Sequence, residues 1–433
     1  MRTKVKRNVV WLVGDKSLTL FHGLIVGAAV ARYLGPSALG VLAFAGSIFA
    51  ITSVLTTFGS NAVITREFIV KEDQGTLFWS VLVTRTILGC LAYSLIISAV
   101  FTGHFSDIGE DDVWAICIIC FPVLLGGCEV ARAMLNAKLL SKYAVMTTHA
   151  VLLVTSTAKL LLIYFGATLQ SFATVTALQG ICGTVLLFLF AQRMGHVPKF
   201  KPPSFYEVKK LFVECWPLMV SALSIVIYMN VDCLMLRLMV DSTEAGIYSV
   251  AVRLSGVLYF FPVALGTSLL PWLAKTHGDS PSYLRTLARF FEINVLVAYA
   301  SIAIAMLVFP WLIDLLFKED YAKSIPVFRW HVFGVLFVFL GSARGQHLNL
   351  EKHHLFNMLA TLSGMVFNVL LNWFLIPRYG SYGAAIATVA GFSLSSTLSS
   401  FFHPRLREVG RMQVTSLFTS VFKAKSIIKT IIQ

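Results

Sequence analysis

The stretch Ala31–Gly46, ARYLGPSALGVLAFAG, breaks an apolar run that begins at Val9 and then returns to apolar residues. The break consists of one arginine, Arg32, and a Gly35-Pro36 pair. Glycine and proline together favour a sharp change of direction. The apolar residues on each side suffice for helices of about 20 residues, the length that crosses the hydrocarbon of a bilayer. The stretch therefore reads as the outer turn between two membrane spans. Arg32 falls at the interface, where a cation is tolerated.

Composition agrees. Of 433 residues, 57% are hydrophobic and 13% charged, and the mean hydropathy is +0.79. A water-soluble chain of this length carries about 25% charged residues, so this one lacks the polar surface to cover a globule in water. Apolar windows of about 18 residues or more predict twelve spans. They lie near 9–31, 40–61, 77–101, 113–133, 144–165, 172–192, 211–237, 245–269, 290–313, 325–348, 355–376 and 382–402. With the N-terminus inside, the inner segments hold 25 Lys and Arg and the outer loops 5. Such a bias orients the chain with both termini inside. The first run is expected to stay as an uncleaved span. The net charge of +14 follows from this topology and contact with anionic lipid heads, not from nucleic-acid binding.

The expected class is all-α and polytopic, about twelve helices in two six-helix lobes. Lobe one is 1–193, a basic, proline-containing cytoplasmic linker is 194–210, lobe two is 211–403, and a basic amphipathic tail is 404–433. In the tail, Val414, Leu417, Phe418 and Val421 share a face suited to the inner leaflet. The opening stretch has an echo. Residues 32–51 align without gaps with LMVDSTEAGIYSVAVRLSGV at 238–257, placing Gly40 on Gly246 and Ala45 on Ala251. A second echo pairs 164–180 with 376–391, with Gly166 near Tyr379–Gly380. Both halves begin and end inside, which makes them parallel repeats about an axis along the membrane normal.

Little in the chain supports covalent chemistry. The seven cysteines lie in apolar runs, and the CIIC at 117–120 has no partner pair, so neither disulfide, metal nor cofactor is expected. No phosphate-cradling G-x-x-x-x-G-K-[ST] occurs, so the chain holds no nucleotide engine of that kind. The short outer loops, poor in histidine, argue against a membrane polymerase or ligase. Charge inside the spans is the remaining signal. It costs about 2.5–3.5 kcal/mol per residue at mid-bilayer, and such groups face a partner or a wet cavity. The cations are Lys16, Arg85, Lys159 and Arg253, and the acids Asp15 and Asp232. Asp232 and Arg253 can pair across the hairpin between spans seven and eight, as a gate or a brace. Arg329 and Glu129 sit near span ends, where long side chains reach the interface.

Several stretches resemble one family. They are ARYLGPSALGVLAFA (31–45), DSTEAGIYSVAVRL (241–254), YFFPVALGTSLLPWLAK (259–275), FKEDYAKSIPVFRW (317–330) and NVLLNWFLIPRYGSYGAAIATV (368–389). Together they resemble the Wzx-type polysaccharide flippases of the multidrug/oligosaccharidyl-lipid/polysaccharide exporter superfamily. The resemblance implies a non-enzymatic protein of the bacterial inner membrane. Its cargo would be an undecaprenyl-diphosphate-linked oligosaccharide, carried between leaflets by alternating access. It also implies work beside polysaccharide polymerase and chain-length machinery. In that setting Arg85, Lys159, Arg253 and Lys16 would line a cationic cavity, since guanidinium forks match phosphate oxygens in pairs. Asp15 or Asp232 would be candidates for coupling to H⁺ or Na⁺. A cationic-drug exporter of the same superfamily is disfavoured, because four inward cations would repel its cargo.

Overall fold

The computed structural model describes residues 2–70, 73–102, 109–277 and 280–424, with the side chains of 2–18, 20, 21, 62 and 280 outside that description. Among the described residues there is no strand. The helices group into two compact units, Met1–Gly246 and Ile247–Gln433.

Unit one holds α1 (Arg2–Thr57), α2 (Asn61–Val70), α3 (Gln74–Phe101), α4 (Glu110–Cys120), α5 (Val130–Ala137), α6 (Ser141–Tyr164), α7 (Leu169–Arg193) and α8 (Phe205–Met239). It also holds the start of α9 (Ser242–Val257). Unit two continues with α10 (Phe260–Lys275), α11 (Ser280–Phe317), α12 (Ser324–His331), α13 (Gly334–Leu350), α14 (His354–Ser396) and α15 (Arg407–Phe422). Ten helical runs among the described residues are long and apolar enough to cross a membrane. Two of them break at a single glycine, Gly35 (φ 78°) in α1 and Gly380 (φ 54°) in α14. Divided there, the ten runs become twelve, and the chain is a multi-pass, all-α membrane protein. The fourth predicted span is not a plain α-helix. It tightens into a 3-10 stretch over Phe121–Glu129, with Pro122 near its start.

The turn in the opening stretch is thus one residue long. Only glycine adopts its left-handed φ without strain. Gly166 (φ 67°) and Gly380 (φ 54°), near-partners in the second echo, also have positive φ. A third echo emerges from geometry. Leu139 and Lys352 both take positive φ, and just beyond each, Leu140 N donates to Leu135 O and His353 N to Leu348 O, each at 2.8 Å. These are the same helix-ending six-to-one bonds, closing the Leu-Asn turns at 135–136 and 348–349.

The first echo is a physical contact. A Cβ at Gly40 would stand 1.7 Å from the Ser242 carbonyl oxygen, and one at Gly246 would stand 1.9 Å from that of Pro36. Pro36 and Ser242 are themselves partners in the alignment. The two helices therefore touch as a self-complementary pair, and glycine at both centres lets backbone meet backbone. Ser37 and Ser242 join their hydroxyls beside it at 2.8 Å.

The linker is laced to α3. Asp73 caps that helix, accepting from Gly75 N at 3.1 Å and Thr76 N at 3.3 Å, and binds Lys201 at 2.9 Å. The Trp79 indole donates to the carbonyls of Pro198 and Lys199, and Ser204 N donates to Ser80 Oγ at 2.9 Å. Lys201 and the cap bonds hold the Asp73 carboxyl down at about 2. Burial, with the Lys138 ammonium 3.4 Å away, keeps His196 below the ordinary imidazole range. Beneath the linker, Phe68, Phe78, Val81 and Met134 form the core where α2, α3 and α5 meet.

In unit two, Phe290, Phe291, Leu340 and Leu406 centre the core, onto which α15 docks. The docked face mixes apolar and polar groups: Val409, Gly410, Gln413, Ser416 and Ser420 are buried and Met412 and Leu417 pack on the core, while Phe418, Val421 and Phe422 are exposed. The Gln413 amide donates to the carbonyl of Ser396 (3.0 Å), at the end of α14, and to that of Leu340 (3.4 Å), inside α13. Lys425 and Lys429 of the expected basic tail lie outside the described residues.

Candidate functional site

Arg85 is buried, 1% exposed, on α3. One terminal nitrogen, Nη2, donates to Ser60 Oγ (2.8 Å), Asn61 Oδ1 (2.9 Å) and the Thr57 carbonyl (3.2 Å). The sequence folds this way because α1 ends at Thr57 and the chain passes Phe58 and Gly59 at positive φ, turning polar groups toward α3. Nε and Nη1 have no protein partner. Beside Arg85 is a small cavity of about 30 Å³, lined by Phe58, Ile64, Val208, Leu211 and Phe212 and by the hydroxyl residues Ser60, Ser80 and Thr84. Arg85 is therefore a sheltered cation at an apolar crevice.

Lys159 is half-buried on α6. Its ammonium reaches Gln179 Oε1 on α7 at 3.5 Å, an oxygen that also accepts from Thr155 at 3.3 Å. It lies in the same unit as Arg85 but shares none of the hydrogen-bond partners described for it. Asp232 is buried on α8. Asp15 and Lys16 belong to α1, and their side chains lie outside the described residues.

Arg253, in unit two, is exposed. It stands eleven residues past Ser242 in the run Ser242–Lys275, about 16 Å along the helix and so near mid-bilayer. One turn further, a Cβ on Gly256 would meet nothing within 4 Å. That face of α9 borders open space. Nearby, Tyr321 is fully buried, and its phenol is raised above the ordinary range by burial, then by Asp320. Arg329 is exposed on α12.

Three charged constellations escape a reading by position. Arg344, near the inner end of the predicted span 325–348, is buried at 3% exposure. It donates to Ser399 Oγ (2.7 Å), Ser400 Oγ (3.3 Å) and the Ser395 carbonyl, and its guanidinium lies 5.8 Å from the Phe356 ring centroid. The run SLSSTLSS was the available signal, a cluster of hydroxyls at a span end. Asp112 and Arg237, at the outer margins of the predicted spans 113–133 and 211–237, form a two-pronged ion pair joining α4 to α8. Glu292 is buried on α11 and holds Arg289 and Lys423. No cluster of three or more metal-ligating side chains occurs among the described residues.

The polysaccharide biosynthesis protein family matches residues 5–277. A Haloferax volcanii protein named "probable low-salt glycan biosynthesis flippase Agl15" is 23% identical over 223 residues, 47% of this chain and 43% of that one. The matched regions span 32% and 43% of the first two curated relatives. Among solved structures, the lipid II flippase MurJ in an inward closed conformation superposes with a TM-score of 0.72 at 15% identity, covering 97% of this chain and 92% of that one. An inward-facing multidrug resistance MATE family transporter of the MOP superfamily gives 0.67 at 15% identity, covering 95% and 96%. These two likenesses are of fold.

Proposed function

The chain belongs to the polysaccharide biosynthesis protein family, and we propose that it moves an undecaprenyl-diphosphate-linked oligosaccharide from the cytoplasmic to the outer leaflet of the bacterial inner membrane. One observation carries the reading, the exposure of Arg253 about a third of the way along a membrane-spanning run, about 16 Å from its start. A cation exposed at that depth faces water-filled space rather than lipid. Its guanidinium is the group that best replaces the hydration of a diphosphate, through paired hydrogen bonds. Lys159 adds a second ammonium. The printed names of two similar proteins, one a glycan biosynthesis flippase and one a lipid II flippase, support the same cargo class.

The mechanism needs no covalent step. Two six-helix lobes, 1–193 and 211–403, rock about the linker in alternating access. The cargo's diphosphate exchanges water for side-chain cations while its lipid stays in the bilayer. An H⁺ or Na⁺ gradient, coupled through Asp232 or Asp15, or consumption of the product by polymerase and chain-length machinery, drives the net flow. The reading is tested in proteoliposomes holding a lipid-linked oligosaccharide in one leaflet, with its arrival in the other followed over time. Protein-dependent arrival supports it. Export of a cationic dye with no movement of the oligosaccharide overturns it.

A further inference from the structure

Along α5, α6 and α7 of unit one runs a series of polar groups, of which the proposed mechanism uses only Lys159. Glu129 ends the 3-10 stretch that precedes α5. Arg132 Nε on α5 donates to its carboxylate at 3.0 Å, and Arg132 Nη2 donates to Thr148 Oγ1 on α6 at 3.3 Å. From α7, Thr184 Oγ1 donates to the other carboxylate oxygen at 3.4 Å. Further out, Gln179 Oε1 accepts from Thr155 at 3.3 Å and from Lys159 at 3.5 Å. Thr148 is seven residues past Ser141, the inner end of α6, or about 10 Å. Lys159 is eleven residues beyond Thr148, about 16 Å further out. The groups form one polar track across much of the membrane.

The track faces the interior of its unit. On α6, Thr148, Thr155 and Lys159 share a face with the buried Ala144 and Val151. Met146, Leu153 and Tyr164, all exposed, lie on the opposite face, the one that suits lipid. Even so, the track keeps open surface. The Arg132 and Glu129 side chains are 34% and 29% exposed, and Thr148, Lys159, Gln179 and Thr184 are half-buried. Stability does not account for the ion pair, because well-packed apolar side chains join helices as well or better.

The chemistry selects a ligand. Glu129 cancels Arg132, and a carboxylate repels phosphate, so the inner end is not built for an anion. A carboxylate only accepts hydrogen bonds, a guanidinium only donates them, and a hydroxyl does both. Neighbouring hydroxyls of a sugar ring therefore match the two groups side by side. The Gln179 amide offers both roles in one side chain. At the outer end, Lys159 supplies a single cation.

We propose that this track binds the sugars of the cargo, with ring hydroxyls on Glu129, Arg132 and Gln179 and the diphosphate toward Lys159. The inference rests on the lipid-linked oligosaccharide reading and deepens it, giving sugar and phosphate opposite ends of one surface.

The test reads binding of lipid-free sugar, by saturation-transfer NMR titration of the purified full-length protein in a detergent without a sugar headgroup. The probes are maltotriose, tri-N-acetylchitotriose and sialyllactose, with hexaethylene glycol and inorganic diphosphate as comparators. At least one trisaccharide should bind, tenfold or more tightly than hexaethylene glycol. The double variant Glu129→Leu/Arg132→Leu should weaken it about tenfold or more, at about fivefold per lost hydrogen bond. Because that double can disturb packing, Gln179→Leu, which leaves the ion pair in place, is the second variant and should weaken binding about fivefold. Thr157→Ala, on the lipid-facing side of α6, should leave it unchanged. No binding of any trisaccharide by the wild type, or an unchanged affinity in either variant, overturns the proposal. So does displacement of the sugar by diphosphate at equal concentration, which would make the inner end an anion site. Transfer in proteoliposomes reports on the cargo separately. Transfer by a wild type that has no sugar affinity refutes the track alone, and sugar affinity without transfer refutes the cargo alone.

Discussion

Replacing Gly40 with alanine places a methyl group 1.7 Å from the Ser242 carbonyl oxygen, where real Cβ contacts fall no closer than 3.0 Å. The obstacle is backbone, so no side-chain rotation relieves it. α1 and α9 must part by the difference between those two distances, loosening the Ser37–Ser242 hydroxyl pair. Overpacking of this kind costs about 1–3 kcal/mol, and alanine returns up to about 1 kcal/mol through helix propensity. A net loss of about 1–2 kcal/mol lowers Tm by about 2–8 °C for a unit of this size. Gly246→Ala should match it, because the contact is self-complementary. The double variant should cost clearly less than the two singles added, since the first parting makes room for the second methyl group. Gly46→Ala, which meets nothing within 4 Å, is the control and should be neutral or stabilising. Thermal unfolding of purified protein gives all four values. Singles that melt like the wild type, or a strictly additive double, would refute the close self-contact.

Arg237→Met strands the buried Asp112 carboxylate. Losing one partner of a buried pair costs about 3–5 kcal/mol, and the double Asp112→Leu/Arg237→Met should recover most of it in melting experiments. Asp112 also accepts from Gly109 N at 3.2 Å, so recovery should stop short of complete. Asp73→Asn should loosen the linker and speed tryptic cleavage at Lys199, where the next residue is Phe200. Because the folded Asp73 sits at about 2 against an ordinary 3.8, its contribution is complete above the ordinary value and fades as pH falls toward 2. The difference between variant and wild type should thus be flat from pH 5 to 8 and shrink below pH 4. A change between pH 6 and 8 would contradict the assignment. Gln413→Leu removes the donor to the Ser396 carbonyl at the end of α14, at about 1–3 kcal/mol, and hydrogen exchange across 407–422 should rise.

Much of the architecture was legible because a bilayer imposes one simple demand, a long apolar helix, and the sequence meets it twelve times. The turn at Gly35-Pro36 and the alignment of Gly40 with Gly246 were legible for a related reason, though that the two glycines meet in space was not. Both positions need a residue without a Cβ, and little else will serve. The charged groups were harder to read. Position along a span says how deep a residue's Cα is, not where its side chain ends. Arg85 sits well inside α3, yet its guanidinium swings to the turn after Thr57. Arg344 lies near the inner end of a span, where a long cation ordinarily reaches the interface, and the serines that bury it come more than fifty residues later. Asp112 and Arg237 lie 125 residues apart, a distance over which spacing carries no information. The 3-10 stretch at Phe121–Glu129 was hidden because hydropathy does not distinguish two ways of winding an apolar segment.

The central claim is that a cation exposed at mid-membrane helps a lipid-linked oligosaccharide across. The most direct measurement is the inter-leaflet transfer rate of that oligosaccharide in proteoliposomes containing wild type, Arg253→Lys or Arg253→Gln, at equal folded protein. Removing the guanidinium should slow transfer tenfold or more, and lysine, which keeps the charge but loses the fork, should fall between. Transfer by Arg253→Gln at the wild-type rate would contradict the claim.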